Sequence, residues 1–154
     1  MPSRTTSRRS LLATALAVPT AAVGVPLLTA SPAAAAPTGV QVVVDWTAIA
    51  LAAGVSAGAD TPAQARVVSI AGTEFLQLRG VLTCNFTGDS QLGTLPAAIR
   101  PPKTTRGVCP RNNRLGVNAT RVEADTAGRV MVYGPQTTDP VTWIQLDNFS
   151  SVLR

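Results

Sequence analysis

Residues 116–133 read GVNATRVEADTAGRVMVY, and this segment carries the clearest fold signal in the chain. Residues rich in valine lie on both sides of residues 125–128, DTAG. Gly128 can adopt the left-handed backbone conformation that a short connection between antiparallel strands requires. The segment therefore predicts a β-hairpin.

Other strand-like runs lie on both sides of this hairpin, at residues 40–46, 65–70, 74–82 and 141–147. In the third of these, Leu76, Leu78 and Gly80 alternate with polar and larger side chains, a period of two that is typical of a half-buried strand. About six to nine short strands, with no long amphipathic helix, predict a single all-β domain. We expect an antiparallel β-sandwich or a jelly-roll-like fold.

Two stretches are predicted to be mostly loop. Residues 54–62 contain two glycines, an aspartate and a proline. Residues 85–115 carry four prolines and no sustained periodicity, so they predict long loops around short strands near 92–95 and 97–100.

The first 36 residues have the layout of a bacterial export signal. A basic start is followed by an apolar run over residues 11–28 and by small residues at 34–36. The paired Arg8 and Arg9 resemble a twin-arginine signal. We expect cleavage after Ala36 and secretion of a domain comprising residues 37–154.

A membrane anchor is the alternative interpretation of the same segment. Pro19, Gly24 and Pro26 would break its helix, and alanine contributes little to insertion. We therefore expect no membrane span after cleavage.

Composition narrows the function classes. The chain contains no histidine, so the Ser-His-Asp and Cys-His catalytic constellations are excluded. Removing residues 1–36 takes away three arginines and lowers the formal net charge from +5 to +2. This weak excess of positive charge does not favour nucleic-acid binding. No motif indicates a cofactor.

Cys84 and Cys109 are an even pair in a chain with an export signal. Such a pair predicts a disulfide. Because twin-arginine substrates fold in the cytoplasm before export, this disulfide would form after folding and would stabilise the fold without being required for it. Two cysteines without histidine are too few ligands for zinc, so no metal site is expected.

One group of side chains suggests ligand binding. Five cations lie within fifteen residues without an intervening acid: Arg100, Lys103, Arg106, Arg111 and Arg114. They could meet an anionic wall polymer, or they could be solvated loop charges with no specific role. Trp46 and Trp143 could each stack on a sugar ring, but their strand positions with apolar neighbours favour core anchors. Among exposed aromatic residues, Tyr133 is the first candidate for ligand contact.

Catalysis has little support in the sequence. No nucleophile motif is present, and the carboxylates Glu123 and Asp125 share a strand face as a glycosidase pair would. Their position at the hairpin favours solvated charges instead. We therefore predict no catalytic residue and no enzymatic activity.

Several short motifs in the exported part follow one another in a characteristic order. They are Trp46 with LAAG (51–54), PAQARV (62–67), LRGV (78–81), LP (95–96), RPP (100–102), GRV (128–130) and WIQLD (143–147). This series resembles the C-terminal head domain of bacteriophage tail-fibre and receptor-binding proteins. The resemblance implies a β-sandwich head, typically a homotrimer, that recognises saccharides or polymers of a bacterial surface.

Together these observations predict a secreted, non-catalytic module that binds cell-surface or cell-wall polysaccharide. Two other functions stay open: a small exported hydrolase that depends on carboxylates, and a structural envelope protein that associates with itself. The resemblance favours a trimer, but a monomer also stays open because no fibrous stalk precedes the head.

Overall fold

The structure is a computed structural model that describes residues 39–154. The predicted export signal, residues 1–36, lies outside the described residues. All described residues fall in one compact unit. Among them, no helix is long and apolar enough to cross a membrane.

Strands account for nearly all of the regular structure in residues 39–154, which confirms the prediction of an all-β fold. They are β1 (Val40–Ala48), β2 (Ala50–Leu51), β3 (Ser56–Ala57), β4 (Gln64–Ile70), β5 (Thr73–Arg79), β6 (Val81–Phe86), β7 (Ser90–Thr94), β8 (Thr105–Arg114), β9 (Val117–Ala124), β10 (Arg129–Tyr133), β11 (Val141–Gln145) and β12 (Ser150–Val152). A 3₁₀-helix, Ala97–Ile99, lies between β7 and β8.

The strands form two antiparallel sheets. The small sheet has the order β1-β4-β5-β12, and the large sheet has the order β2-β7-β10-β9-β8-β11-β6-β3. The hairpin predicted from residues 116–133 is confirmed as β9 and β10, with Ala124 opposite Val130 and Arg121 opposite Tyr133. Asp125 Oδ1 accepts hydrogen bonds from the backbone N–H groups of Ala127 and Arg129 and thereby closes the turn.

Both sheets contribute to a single hydrophobic core. Val67, Leu76 and Leu78 of the small sheet are buried in the same cluster as Leu82 and Val122 of the large sheet. Burial of one such side chain stabilises the fold by about 1.5–3 kcal/mol.

Residues 74–82 form two strands instead of the one that was predicted. The chain leaves the small sheet after β5 and enters the large sheet at β6, and Gly80 lies at the junction with φ +113°. A Cβ atom there would lie 2.5 Å from the carbonyl oxygen of Pro62. Only glycine fits this close approach of two backbones.

The predicted loop over residues 85–115 is wrong in its second half, which contains the ten-residue strand β8. The sequence did not predict this strand because proline is uncommon in inner strands and Pro110 lies within it. Pro110 is accommodated beside a register shift in the pairing of β8 with β9. The 3₁₀-helix replaces the strand predicted near residues 97–100. The predicted loop 54–62 contains the two-residue strand β3, which pairs with β6.

Candidate functional site

The five cations predicted to bind a ligand do not share one surface. Arg100 and Lys103 are exposed on the segment before β8, and Arg106 lies near the start of that strand. Arg114 ends β8, eight residues after Arg106, so the two can lie up to about 26 Å apart along the strand. Only Arg106 is brought together with Tyr133, through residues of β9.

Arg111 is enclosed instead of exposed. Alternation along β8 places it on the same side as the buried Cys109, and its side chain is 1% exposed. Its Nη2 donates to Asp139 Oδ1 at 2.6 Å and its Nη1 donates to Asp139 Oδ2 at 3.2 Å. Arg111 therefore holds the chain around Asp139 in place, and its charge is compensated internally.

Arg106, Arg121, Glu123 and Tyr133 lie together on the outer side of β8, β9 and β10, and we call this surface the β8–β10 face. Arg106 Nε and Arg121 Nε both contact Glu123 Oε1, at 2.7 and 3.1 Å. The Arg121 guanidinium lies over the Tyr133 ring, 4.5 Å from its centroid. Opposite Arg121, Val108 exposes 66% of its surface.

This face offers hydrogen-bond donors and a small positive charge. Two guanidinium groups share one carboxylate, so one positive charge is left over. The arginine side chains remain 63% and 54% exposed. Their terminal amino groups have no hydrogen-bond partner among the described residues, and they can donate to a ligand.

A second cluster lies on the outer side of the small sheet. The pairing of β1 with β4 shifts register between Val44 and Thr47, and this bulge contains Trp46. Bulges re-aim side chains, and the ring of Trp46 contacts two guanidinium groups. Arg66 lies 4.5 Å and Arg79 lies 4.2 Å from its centroid.

Two glutamines fix the two arginines. Arg66 is opposite Gln77 and Arg79 is opposite Gln64 in the β4–β5 pairing. Arg66 Nε donates to Gln77 Oε1 and Arg79 Nε donates to Gln64 Oε1, each at 2.8 Å. These five residues are the Trp46 platform.

A cleft of about 370 Å³ adjoins the platform, and we call it the Gly80 cleft. Its walls are Asp60, Thr61, Pro62, Arg79, Gly80 and Asp147. Asp147 is fixed because its Oδ1 accepts from the Gly80 N–H at 2.9 Å and its Oδ2 accepts from Gln145 Nε2 at 2.8 Å. The cleft thus presents two carboxylates and one guanidinium side by side.

The sequence held a signal for the Trp46 platform that our predictions did not use. Gln64 and Arg66 are separated by one residue, as are Gln77 and Arg79. The two pairs are equally distant from residues 71–72, which connect the strands predicted at 65–70 and 74–82. In a hairpin centred there, each arginine must face a glutamine across the strands. The position of Trp46 over them depends on the β1 bulge and had no such signal.

The predicted disulfide is not present, because Cys84 and Cys109 are both free, buried thiols. β11 lies between their strands, pairing with β6 on one side and β8 on the other. Two strand spacings separate their Cα atoms by at least about 9 Å, and a disulfide requires less than about 7 Å.

Burial sets the acidity of both thiols. It raises the pKa of Cys84 to about 11, and the charge of Arg111 offsets part of the increase. Burial, helped by the negative charge of Asp147, raises the pKa of Cys109 to about 12. Both side chains are therefore protonated at neutral pH and act as core residues.

The two carboxylates considered for hydrolysis have other contacts. Glu123 is bound by two arginines, and Asp125 binds the turn and Arg129, whose Nε lies 2.7 Å from Asp125 Oδ2. Burial opposes ionisation of Asp125, but hydrogen bonds from Arg129 and Ala127 and the charge of Arg129 outweigh it and lower its pKa. Within residues 39–154, no group of three acidic, cysteine or histidine side chains could hold a metal ion.

The solved structures that are similar to this chain include two phage proteins. The receptor binding protein gp15 of Listeria phage PSA is 17% identical with a TM-score of 0.51, over 76% of this chain and 67% of that chain. The head domain of the lactococcal phage bIL170 is 19% identical with a TM-score of 0.49, over 72% of this chain and 99% of that chain. No family model matches the chain, and no curated protein matches it. The likeness to gp15 is one of fold.

Proposed function

We propose that this protein is an exported, non-catalytic module that binds saccharides or polymers of a bacterial cell surface. The observation that carries the proposal is the β8–β10 face, where Glu123 holds Arg106 and Arg121 together and the Arg121 guanidinium lies over the Tyr133 ring. The fold similarity to a phage receptor binding protein supports it. The export signal predicted in residues 1–36 would deliver the module outside the cell.

The side chains of the face suit a polysaccharide. Free terminal N–H groups of the arginines can donate to hydroxyl and anionic substituents, and the Tyr133 ring and exposed Val108 can pack against the apolar side of a sugar. Because Glu123 already fixes both arginines, a ligand would restrict them little further. Of the side chains that the sequence predicted to contact a ligand, Arg106 and Tyr133 are the ones we propose as contacts.

The remaining exposed cations would act at longer range. Arg100, Lys103 and Arg114 lie outside the face, and their charges would raise the local concentration of an anionic polymer without fixing its position. Such an effect weakens when salt shortens the screening length to about 8 Å.

A self-associating envelope protein is the second candidate function. β1 is an edge strand of the small sheet, and it exposes Val40, Val42 and Val43. Exposed apolar edge strands are templates for pairing with another chain. A homotrimer, as the resemblance implies, would be one form of this association.

Binding of the full chain to a glycan array, beside a turnover assay on cell-wall polymers, tests the proposal. We expect binding without turnover, and a loss of at least tenfold in affinity for the Arg106→Ala, Tyr133→Ala double variant. Arg114→Ala is the matched control, because it removes an exposed cation of the same strand outside the face. Turnover that Glu123→Gln abolishes, or binding that the double variant leaves unchanged, would contradict the proposal.

A further inference from the structure

The Trp46 platform holds two arginines without neutralising them. Arg106, Arg111, Arg121, Arg129 and Arg154 each have a carboxylate within ion-pair distance. Arg66 and Arg79 have none among the described residues, and their partners are the neutral amides of Gln77 and Gln64. Asp60 and Asp147 line the Gly80 cleft together with Arg79, but neither carboxylate lies within ion-pair distance of it. Asp45, next to Trp46 in the sequence, accepts a hydrogen bond from the Trp46 backbone N–H.

The two positive charges are also forced close together. Both guanidinium carbons lie within 4.5 Å of the same ring centroid, so they cannot be farther apart than about 9 Å. The tryptophan ring stabilises each cation, but it does not cancel either charge. A pair of like charges at this separation favours the binding of a shared anion.

Each guanidinium is oriented before any ligand arrives. The ring fixes its flat side and the glutamine oxygen fixes its Nε edge. Arg79 Nη2 also donates to Gln64 Oε1, so both Nη groups of Arg66 and the Nη1 group of Arg79 remain free to donate to a ligand. A guanidinium presents its donors in a planar fork that matches the oxygens of a carboxylate or a phosphate. Orientation in advance lowers the entropy that binding would cost.

We infer that the Trp46 platform is a binding site for an oxyanion, a carboxylate or a phosphate group, carried by a hydroxyl-rich ligand. The hydroxyl groups belong in the Gly80 cleft, because Arg79 lines both places and the carboxylates of Asp60 and Asp147 accept hydroxyl hydrogen bonds. Those two carboxylates repel an anion, so the charged group must face the platform. This site lies on the sheet opposite to the β8–β10 face and does not depend on the proposed function.

The test is titration of the full chain with inorganic phosphate, glucuronate and glucose at low ionic strength, followed by NMR at the Trp46 indole N–H. We expect phosphate or glucuronate to shift this signal with at least tenfold higher affinity than glucose. Glucuronate and glucose differ in one carboxylate, so their comparison isolates the charge. Phosphate against glucuronate shows which oxyanion is preferred.

Three variants make the result specific. Gln77→Glu keeps the shape of the side chain, places a carboxylate on Arg66 and should weaken oxyanion affinity at least tenfold. Arg66→Lys keeps the charge without the planar fork and should weaken it less. Arg114→Gln, on the other sheet and outside both surfaces, should leave it unchanged.

Equal shifts with glucose and glucuronate would overturn the inference, as would full oxyanion affinity in the Arg66→Gln, Arg79→Gln double variant. Loss of glycan binding with retained phosphate binding would defeat the proposed function and leave this inference standing.

Discussion

The β8–β10 face and the Trp46 platform are built alike but differ in charge. In each, two arginines on neighbouring strands contact a side-chain oxygen through Nε, and an aromatic ring lies under a guanidinium. On the β8–β10 face the oxygen belongs to the carboxylate of Glu123, whereas on the platform the oxygens belong to Gln64 and Gln77. Because an amide fixes an arginine without cancelling its charge, the partner decides how strongly each surface attracts an anion.

Arg111 is the corresponding case in the core, and loss of its partner has the largest expected effect on the free energy of unfolding. Its partner is also a carboxylate, but the pair is buried, so removing Asp139 leaves an uncompensated charge inside the protein. We expect Asp139→Asn to lower the free energy of unfolding by about 3–5 kcal/mol. Urea unfolding of the variant and of Asp125→Asn, an exposed pair, measures the difference. Equal losses in the two variants would show that burial of the pair does not matter.

Exchange of the partners is the sharpest test of the comparison. Glu123→Gln should raise phosphate affinity on the β8–β10 face, because two guanidinium charges become available there. Gln77→Glu should reduce it on the platform. We expect changes of about tenfold, equivalent to about 1.4 kcal/mol, in opposite directions. NMR shifts of the arginine Nε–H groups assign the binding to each surface, and changes in the same direction would break the comparison.

The aromatic rings predict a smaller difference in stability. Trp46 contacts two guanidinium groups and Tyr133 contacts one. An exposed contact of this kind contributes about 0.5–1 kcal/mol, so Trp46→Leu should cost about that much more than Tyr133→Leu. Chemical denaturation compares the variants. A larger loss from Tyr133→Leu would contradict the account.

Acid should affect the β9–β10 turn and the Trp46 platform unequally, and this is the smallest of the expected effects. The folded-state pKa of Asp125 is lowered, so its contribution to stability is present above the unfolded pKa of about 3.9 and is lost as pH falls through the folded value. The glutamines that hold the platform do not titrate. Amide hydrogen exchange should therefore show the β9–β10 turn opening first below about pH 4. Asp125→Asn should remove this pH dependence, and earlier opening of β4 and β5 would refute it.

Local patterns predicted what neighbouring residues determine. The hairpin at residues 116–133 depends on its turn residues, so the sequence predicted it. The half-buried strand with Leu76 and Leu78 depends on a period of two, which the sequence also shows. The disulfide prediction was wrong because it used only the even number of cysteines. That number does not reveal that β11, from a distant part of the chain, lies between the strands of Cys84 and Cys109.

The candidate site was partly predictable from the sequence, because some of its contacts are local and others join distant parts of the chain. The glutamine–arginine pairs of the platform lie in one hairpin, and their pairing follows from its turn. The burial of Arg111 depends on Asp139, which lies 28 residues away in the sequence. We had grouped Arg111 with the neighbouring cations because they are close in sequence, but its side chain does not lie with theirs. Tyr133 meets Arg106 only through β9, which lies between their strands.

Binding of the full chain to isolated bacterial cell walls, at about 10 mM and about 1 M salt, tests the central claim that arginines held in advance on the outer sheet faces bind a surface polymer. The screening length falls from about 30 Å to about 3 Å across this range. We predict at least a tenfold loss of affinity at high salt, and a smaller salt dependence for Arg106→Ala, Tyr133→Ala and for Arg66→Gln, Arg79→Gln. Salt-independent binding that neither double variant alters, or no binding at low salt, would contradict the account.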